Sequence, residues 1–85
     1  MPLVVRLGDG GTHGGAVVSS AQKWAFEGAL CARLGDIYAC PIHGPNPIVE
    51  GSSRYSCEGL PIARHGDATA CGASLISGAT KWAFD

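Results

Sequence analysis

The sequence contains few aromatic residues, little charge and no long apolar run. Its 85 residues include two Trp, two Tyr and two Phe, and a chain of this size buries only about 60% of its unfolded surface. Charged residues make up 15%, and the net charge of −1 has no basic cluster, which excludes a nucleic-acid-binding face. Without a run of about 18 apolar residues or a charged-then-apolar leader, we expect neither a transmembrane helix nor a signal peptide.

A helical pattern is also missing. No segment keeps an apolar period of 3.6 residues over three helical turns. Short apolar or β-branched runs alternate instead with turns that use most of the 13 glycines and five prolines. That alternation is typical of short strands joined by tight turns. The chain is therefore predicted to be mostly β.

The sequence repeats itself. An Arg-x-Gly-Asp motif occurs three times, and each copy is followed by a His-Gly or Cys-Gly pair. Residues 6–27 and 64–85 agree at ten of 22 positions without a gap, and both contain Lys-Trp-Ala-Phe. The period is near 30 residues. We therefore predict one domain over residues 1–85, built from three units: about 3–28, 29–59 and 60–85.

Three β units in one short chain predict pseudo-threefold symmetry about a central axis, with the two chain ends side by side. The aspartates of the motif, Asp9, Asp36 and Asp67, are expected to stabilise turns by accepting backbone N–H bonds. The arginines of the motif, Arg6, Arg33 and Arg64, are expected to pair with aspartates of neighbouring units. Neither set indicates catalysis.

The repeat also brings potential metal ligands to equivalent places. His13, His43 and Cys71 each precede a glycine at the same point of their units, and His65 replaces a leucine that the other two units share. Structural zinc takes four imidazole or thiolate ligands in a closed tetrahedron. We therefore predict one structural Zn²⁺ per chain, held by His13, His43, His65 and Cys71. The alternative is that these are ordinary turn histidines and a buried thiol.

The remaining cysteines are weaker ligand candidates. Cys31 and Cys57 align with apolar positions of the other units, which indicates small buried hydrophobic residues. Cys40 is the competitor, because Cys40-Pro41-Ile42-His43 has a loop spacing that a metal could use, and it could replace one of the four ligands. Disulfides are disfavoured, since a chain without a leader is expected in the reducing cytosol.

Enzyme activity is not predicted. Four protein ligands leave no open position for a catalytic water on the metal. The sequence contains no His-Glu-x-x-His and no phosphate-cradling loop ahead of a helix.

The motifs together resemble the PAAR (proline-alanine-alanine-arginine) repeat family, the sharp tips of type VI secretion spikes. The resemblance rests on the repeated Arg-x-Gly-Asp, Thr12-His13-Gly14-Gly15, Cys40-Pro41-Ile42-His43-Gly44 and the segment from Ala63 to Gly72. The nearest copy of the family tetrapeptide is Leu60-Pro61-Ile62-Ala63-Arg64. It implies a cone of short strands with a zinc at the apex, bound through three histidines and a cysteine. Carried over to this chain, those ligands are His13, His43, His65 and Cys71.

The resemblance also implies partners and a location. The base of the cone is expected to sit on the blunt end of a trimeric VgrG β-helix, and the tip to aid membrane puncture and effector delivery. No toxin extension is expected, so any effector would be a separate protein. The chain is expected in the cytoplasm of the producing bacterium and then, with the spike, in target cells. The alternatives are a small zinc-stabilised binding module unrelated to secretion and, more weakly, a hydrolytic metalloenzyme.

Five of the six aromatic residues could take either of two roles. They could line the base of the cone or fill its interior, and core packing is the favoured interpretation. The five residues are Trp24, Phe26, Tyr55, Trp82 and Phe84.

Overall fold

The computed structural model describes residues 2–84, which form short strands, isolated bridges and turns. These residues contain no helix, so this part of the chain has no membrane-spanning helix. The fold is all-β, as predicted. Within residues 2–84 there are nine strands: β1 (Gly10–Gly11), β2 (Ala16–Val17), β3 (Ala25–Phe26), β4 (Ala29–Leu30), β5 (Ile37–Cys40), β6 (Gly44–Pro47), β7 (Ser56–Cys57), β8 (Leu60–Pro61) and β9 (Leu75–Ile76).

A closed triangle of backbone hydrogen bonds joins the three units at the axis. Val5 N–H donates to Ala63 O at 3.0 Å, Ala63 N–H to Ala32 O at 3.0 Å, and Ala32 N–H to Val5 O at 2.9 Å. All three residues are fully buried. Each comes from a different unit and occupies the same position in it, just before the Arg-x-Gly-Asp motif. This triangle confirms the predicted pseudo-threefold repeat.

The strands farther along each unit close a second ring. Each unit pairs antiparallel with the next, so that the third unit returns to the first. Leu3 also pairs with Ala83, which places the two chain ends side by side as predicted. Because each unit supplies one side of its neighbour's pairing, none of the three has a core of its own. The equivalent pairs are Val17 with Tyr38, Ile48 with Thr69, and Leu75 with Gly11.

The Arg-x-Gly-Asp motif forms the same turn in every unit. In the first, Asp9 N–H donates to Arg6 O at 2.9 Å and the Asp9 carboxylate accepts Arg6 N–H at 2.8 Å. Gly8 has φ of 91°, which the third residue of a type II turn requires. The predicted turn-stabilising role of the aspartates is therefore confirmed.

The expected pairing of arginines with aspartates across units was wrong, because each guanidinium pairs with the aspartate of its own turn. The Nη2–Oδ1 distances are 3.4, 3.0 and 3.0 Å, and in each pair the residues are three apart in sequence. The turn brings the start of the arginine side chain over the carboxylate, so the nearest partner is local. The pairs are Arg6–Asp9, Arg33–Asp36 and Arg64–Asp67.

The buried side chains form two layers along the axis. One layer surrounds the triangle of Val5, Ala32 and Ala63 and includes Tyr38 and Cys40. The other lies one residue earlier in each unit, on Val4, Cys31 and Ile62, and has the half-buried rings of Phe26 and Phe84 packed against it. The first layer therefore faces the His-Gly and Cys-Gly loops, and the second faces the aromatic loops.

Tyr38 breaks the symmetry of the first layer. It is fully buried, and the equivalent positions of the other units carry Gly11 and Thr69. A Cβ atom on Gly11 would lie 2.7 Å from the Tyr38 hydroxyl oxygen and Cζ. One large ring therefore fills the space at this level, and the absence of a side chain at Gly11 makes room for it.

We expect Gly11→Ala to destabilise the protein because the buried Tyr38 ring would have to move. Overpacking of this kind costs about 1–3 kcal/mol, which is on the order of 5–20 °C in melting temperature for a domain this small. The control is Gly10→Ala in the same strand, whose Cβ would make only an ordinary contact of 3.5 Å with Gly15 O. Thermal unfolding of both variants measures the difference, and equal melting temperatures would contradict this account of the axis.

Two hairpins connect the units at the opposite end. Each turns on a Glu-Gly pair with positive φ at both residues, 52° and 85° at Glu27 and Gly28, which defines a type I′ turn. The glutamates then reach neighbouring units. Glu27 accepts backbone N–H bonds from Thr80 and Lys81 at 2.9–3.0 Å, and Glu58 accepts them from Gln22 and Lys23 at 2.9–3.1 Å. The equivalent position of the third unit, Asp85, lies outside the described residues.

The stability that Glu27 contributes is expected to vanish in acid. Backbone N–H bonds from Lys81 and Thr80 lower the pKa of Glu27 from 4.5 to about 2. A group whose pKa is lower in the folded state stabilises the protein above its unfolded pKa, and this contribution is lost as the pH falls from about 4.5 towards 2. The melting temperature of Glu27→Gln should therefore lie below that of the parent at pH 6, and the gap should narrow steadily as the pH falls from about 4.5 towards 2. Lys81→Ala keeps its N–H and is the control that should match the parent.

Candidate metal centre

Three loops converge beyond the first core layer, one from each unit. The His13 loop joins β1 to β2, the His43 loop joins β5 to β6, and the Cys71 loop precedes β9. Each ligand candidate is followed by a glycine with positive φ, between 77° and 89°. These left-handed glycines reverse the chain directly after the side chain of interest, so the same local sequence turns three side chains towards the axis.

The group that results contains His13, Cys40, His43 and Cys71, whose nitrogen and sulfur atoms all lie within 4.8 Å of one another. The Cys40 sulfur is 3.5 Å from His13 Nδ1 and 3.6 Å from His43 Nδ1, and the Cys71 sulfur is 3.8 Å from His13 Nδ1. With Zn–S of about 2.3 Å and Zn–N of about 2.0–2.1 Å, the nitrogen–sulfur edge of a tetrahedron is ~3.6 Å. The four side chains therefore fit a tetrahedral His₂Cys₂ metal site.

The site is partly shielded from solvent, and the surroundings of Cys71 favour its thiolate form. Cys40 is buried, His13 and Cys71 are half-buried, and His43 is exposed. The Thr69 hydroxyl, 3.2 Å from the Cys71 sulfur, lowers the pKa of that thiol to about 6. Because a metal binds the thiolate, this hydrogen bond prepares Cys71 as a ligand at neutral pH.

The buried tyrosine supports the His13 loop from below. The Tyr38 hydroxyl donates a hydrogen bond to the carbonyl oxygen of Gly14. Its strand also carries Cys40 two residues later, and both side chains are buried. The strand alternation that places Tyr38 in the core therefore also places Cys40 under the ligand loops.

The structure places His65 outside the group. Its side chain is exposed, and its Nδ1 accepts the N–H of Ser77 at 3.0 Å. His65 follows Arg64 as the second residue of its turn, and the equivalent Leu7 is also exposed. The structure thus brings together His13, His43 and Cys71 of the predicted set, adds Cys40 to the group and leaves His65 outside it, while the metal ligands themselves stay a prediction.

The sequence held a signal for Cys40. In Ile37-Tyr38-Ala39-Cys40, alternate residues share a face of the strand, so a buried Tyr38 implies an inward Cys40. His65 differs from its leucine equivalents, but its position is exposed in the first and third units and half-buried in the second, and its Nδ1 accepts the N–H of Ser77.

The other end of the axis is aromatic. Trp24, Tyr55 and Trp82 occupy equivalent positions in the three units and are 57%, 42% and 50% exposed. Phe26 and Phe84 lie under them, with ring centroids 5.2 Å apart for Phe26–Trp82 and 5.3 Å for Tyr55–Phe84. Phe26 and Phe84 therefore pack against the core, as favoured from the sequence. Trp24, Tyr55 and Trp82 stay exposed at this end.

The fold and the site define a small all-β domain of three pseudo-equivalent units that carries a potential metal centre at one end. The PAAR-motif family model matches residues 7–77 of the chain. The chain therefore belongs to the PAAR-repeat family of type VI secretion spike proteins. A comparison with curated proteins finds no match.

Proposed function

We propose that this chain is the non-enzymatic tip of a type VI secretion spike that caps a trimeric VgrG β-helix. The observation that carries the proposal is the closed triangle of Val5, Ala32 and Ala63 in a member of the PAAR-repeat family. A monomer with three pseudo-equivalent units can present three similar contacts to a threefold partner, so one tip suits one trimer.

The exposed aromatic residues support a base at that end of the axis. Trp24, Tyr55 and Trp82 form an aromatic base of one ring per unit, and monomeric proteins seldom expose three such rings at related positions. Aromatic anchors dominate the energetics of many protein interfaces. The proposed VgrG contact therefore covers the aromatic base.

The metal centre supports a mechanical role for the opposite end. We propose one structural Zn²⁺ per chain, held by His13, Cys40, His43 and Cys71. When bound, zinc supplies a cross-link between loops of all three units, and structural zinc sites contribute on the order of 10 kcal/mol in apparent folding free energy. An apex with little core of its own would thereby become rigid, which puncture requires.

The distribution of charge supports passage of the apex through a membrane. Three stretches of 13 residues each (10–22, 37–49 and 68–80), which include all the ligand loops, contain no Asp, Glu, Lys or Arg. A charged residue at the centre of a bilayer costs about 2.5–3.5 kcal/mol on insertion scales. Two thiolates also balance a divalent ion formally, whereas three histidines and one thiolate would leave a positive charge. Contact with the target membrane is proposed to be transient.

Location and cargo follow from the same proposal. The tip would assemble on its spike in the cytoplasm of the producing bacterium and then be translocated into target cells. Effectors are proposed to travel with the spike.

Capture of the chain by a trimeric VgrG tests the proposal. Purified tip and VgrG are mixed and separated by size-exclusion chromatography with light scattering, and zinc is measured in the same fractions. The expected complex contains one tip per VgrG trimer and one zinc. One zinc per chain without binding to VgrG trimers would favour the alternative of a metal-stabilised binding module. Absence of zinc would overturn the metal centre alone.

A further inference from the structure

We propose that Asn46 is a positioning residue of the metal centre, which fixes the His43 loop relative to the Cys71 loop. The inference rests on the metal site of the proposed function and adds a residue that does not itself bind the ion. Asn46 lies in β6, three residues after His43, at the boundary between the second and third units.

The carboxamide of Asn46 joins the backbones of the two loops. Its Oδ1 accepts the N–H of Cys71 at 3.2 Å, and its Nδ2 donates to Gly44 O at 3.0 Å. A second, longer contact of 3.4 Å runs from Nδ2 to Tyr38 O. One side chain therefore bonds to the main chain of Cys71 and to the main chain directly after His43.

The orientation of the amide follows from its partners. A backbone N–H can only donate and a carbonyl oxygen can only accept, so Oδ1 must face Cys71 and Nδ2 must face Gly44. Aspartate could accept from Cys71 but could not donate to Gly44, and alanine could do neither. The position therefore needs both halves of the carboxamide.

The physical consequence concerns the distance between two ligands from different units. A tetrahedral site tolerates little error in ligand position, and residues that orient ligands typically change metal affinity 10–100-fold when they are removed. The neighbouring bond from Ala70 N–H to Pro47 O, at 2.9 Å, holds the two units together without Asn46. Loss of Asn46 should accordingly loosen the metal site more than it loosens the fold.

The test compares Asn46→Ala and Asn46→Asp with Ser19→Ala. The Ser19 hydroxyl also joins two units, since it accepts Ile37 N–H at 2.8 Å and lies 3.2 Å from Asp36 Oδ1, but it touches no ligand loop. Zinc affinity is measured on the zinc-loaded full chain by competition with a chromophoric chelator. The Co²⁺-substituted proteins are compared by their ligand-field spectra, which report ligand geometry.

We expect both Asn46 variants to release zinc to the chelator at a 10–100-fold lower chelator concentration and to show altered Co²⁺ spectra. Ser19→Ala should lower the melting temperature and leave both metal readouts unchanged. Unchanged zinc affinity and an unchanged spectrum in both Asn46 variants, with a parent that binds zinc tightly, would overturn the role of Asn46 alone. A parent chain that binds no zinc would overturn the metal centre and this inference together, while VgrG capture remains a separate measurement.

Discussion

Replacing Cys40 with alanine is expected to remove the bound zinc, whereas replacing His65 with alanine is expected to leave one zinc per chain. The Cys40 sulfur lies 3.5–3.6 Å from the Nδ1 atoms of His13 and His43, which is the edge length of a tetrahedral site. The His65 imidazole is exposed and bonded to Ser77 instead. Loss of the ion should lower the apparent free energy of unfolding by several kcal/mol, up to the order of 10 kcal/mol.

Metal content by mass spectrometry and thermal unfolding with and without chelator measure these effects. Cys57→Ala is the matched control, because Cys57 is as buried as Cys40, at 4% exposure, but belongs to the other core layer. It should retain zinc and show a smaller fall in melting temperature that chelator still increases. If His65→Ala loses zinc while Cys40→Ala keeps it, the three-histidine set predicted from the sequence is restored and the geometry is wrong.

Introducing one charge into the aromatic base is expected to weaken capture by VgrG, and introducing two is expected to abolish it. Trp24 is the most exposed of the three rings, so Trp24→Asp should disturb the fold least while it places a carboxylate in the proposed contact. Aromatic hot spots contribute 2–4 kcal/mol each, so affinity should fall at least 30-fold for Trp24→Asp. The double variant with Trp82→Asp should show no capture.

The control for the aromatic base is the introduction of an aspartate at an exposed position outside the base, which we call the flank. Val18 and Val49 are 56% and 50% exposed and occupy equivalent positions on the first two units. Val18→Asp and Val49→Asp therefore introduce the same charge at similar exposure outside the base and should leave VgrG binding intact. Binding that survives Trp24→Asp and fails with Val18→Asp would move the interface from the base to the flank. Zinc content of each variant shows that the apex is unaffected.

Much of this fold could be predicted from the sequence because its threefold symmetry corresponds to a sequence repeat. The triplicate Arg-x-Gly-Asp motif identified the three turns, and the apolar residues directly before it are the buried segments that meet at the axis. The partner of each arginine could not be predicted in the same way. The choice between Asp9 and an aspartate of another unit depends on how a type II turn directs the Arg6 side chain, and a sequence repeat does not specify that direction.

The site was predicted to a similar extent. Repeat-related positions indicated that His13, His43 and Cys71 lie near one another, and the equivalent loops do bring these side chains together. The fourth member came from an exception to the symmetry, the longer β5–β6 hairpin of the second unit, which carries Cys40 and Tyr38. Two exceptions were visible in the sequence, this insertion and His65. Only three-dimensional placement shows which of them faces the axis.

The hydrogen-bonded triangle of Val5, Ala32 and Ala63 also has a consequence for biosynthesis. Val5 O can accept Ala32 N–H once the second unit has been made, but the triangle closes only when Ala63 of the third unit is present. Contacts between such distant residues slow folding. We therefore expect the ring to close late, after the third unit has been made, and a unit of the closed ring can then detach only by breaking its bonds to both of the others.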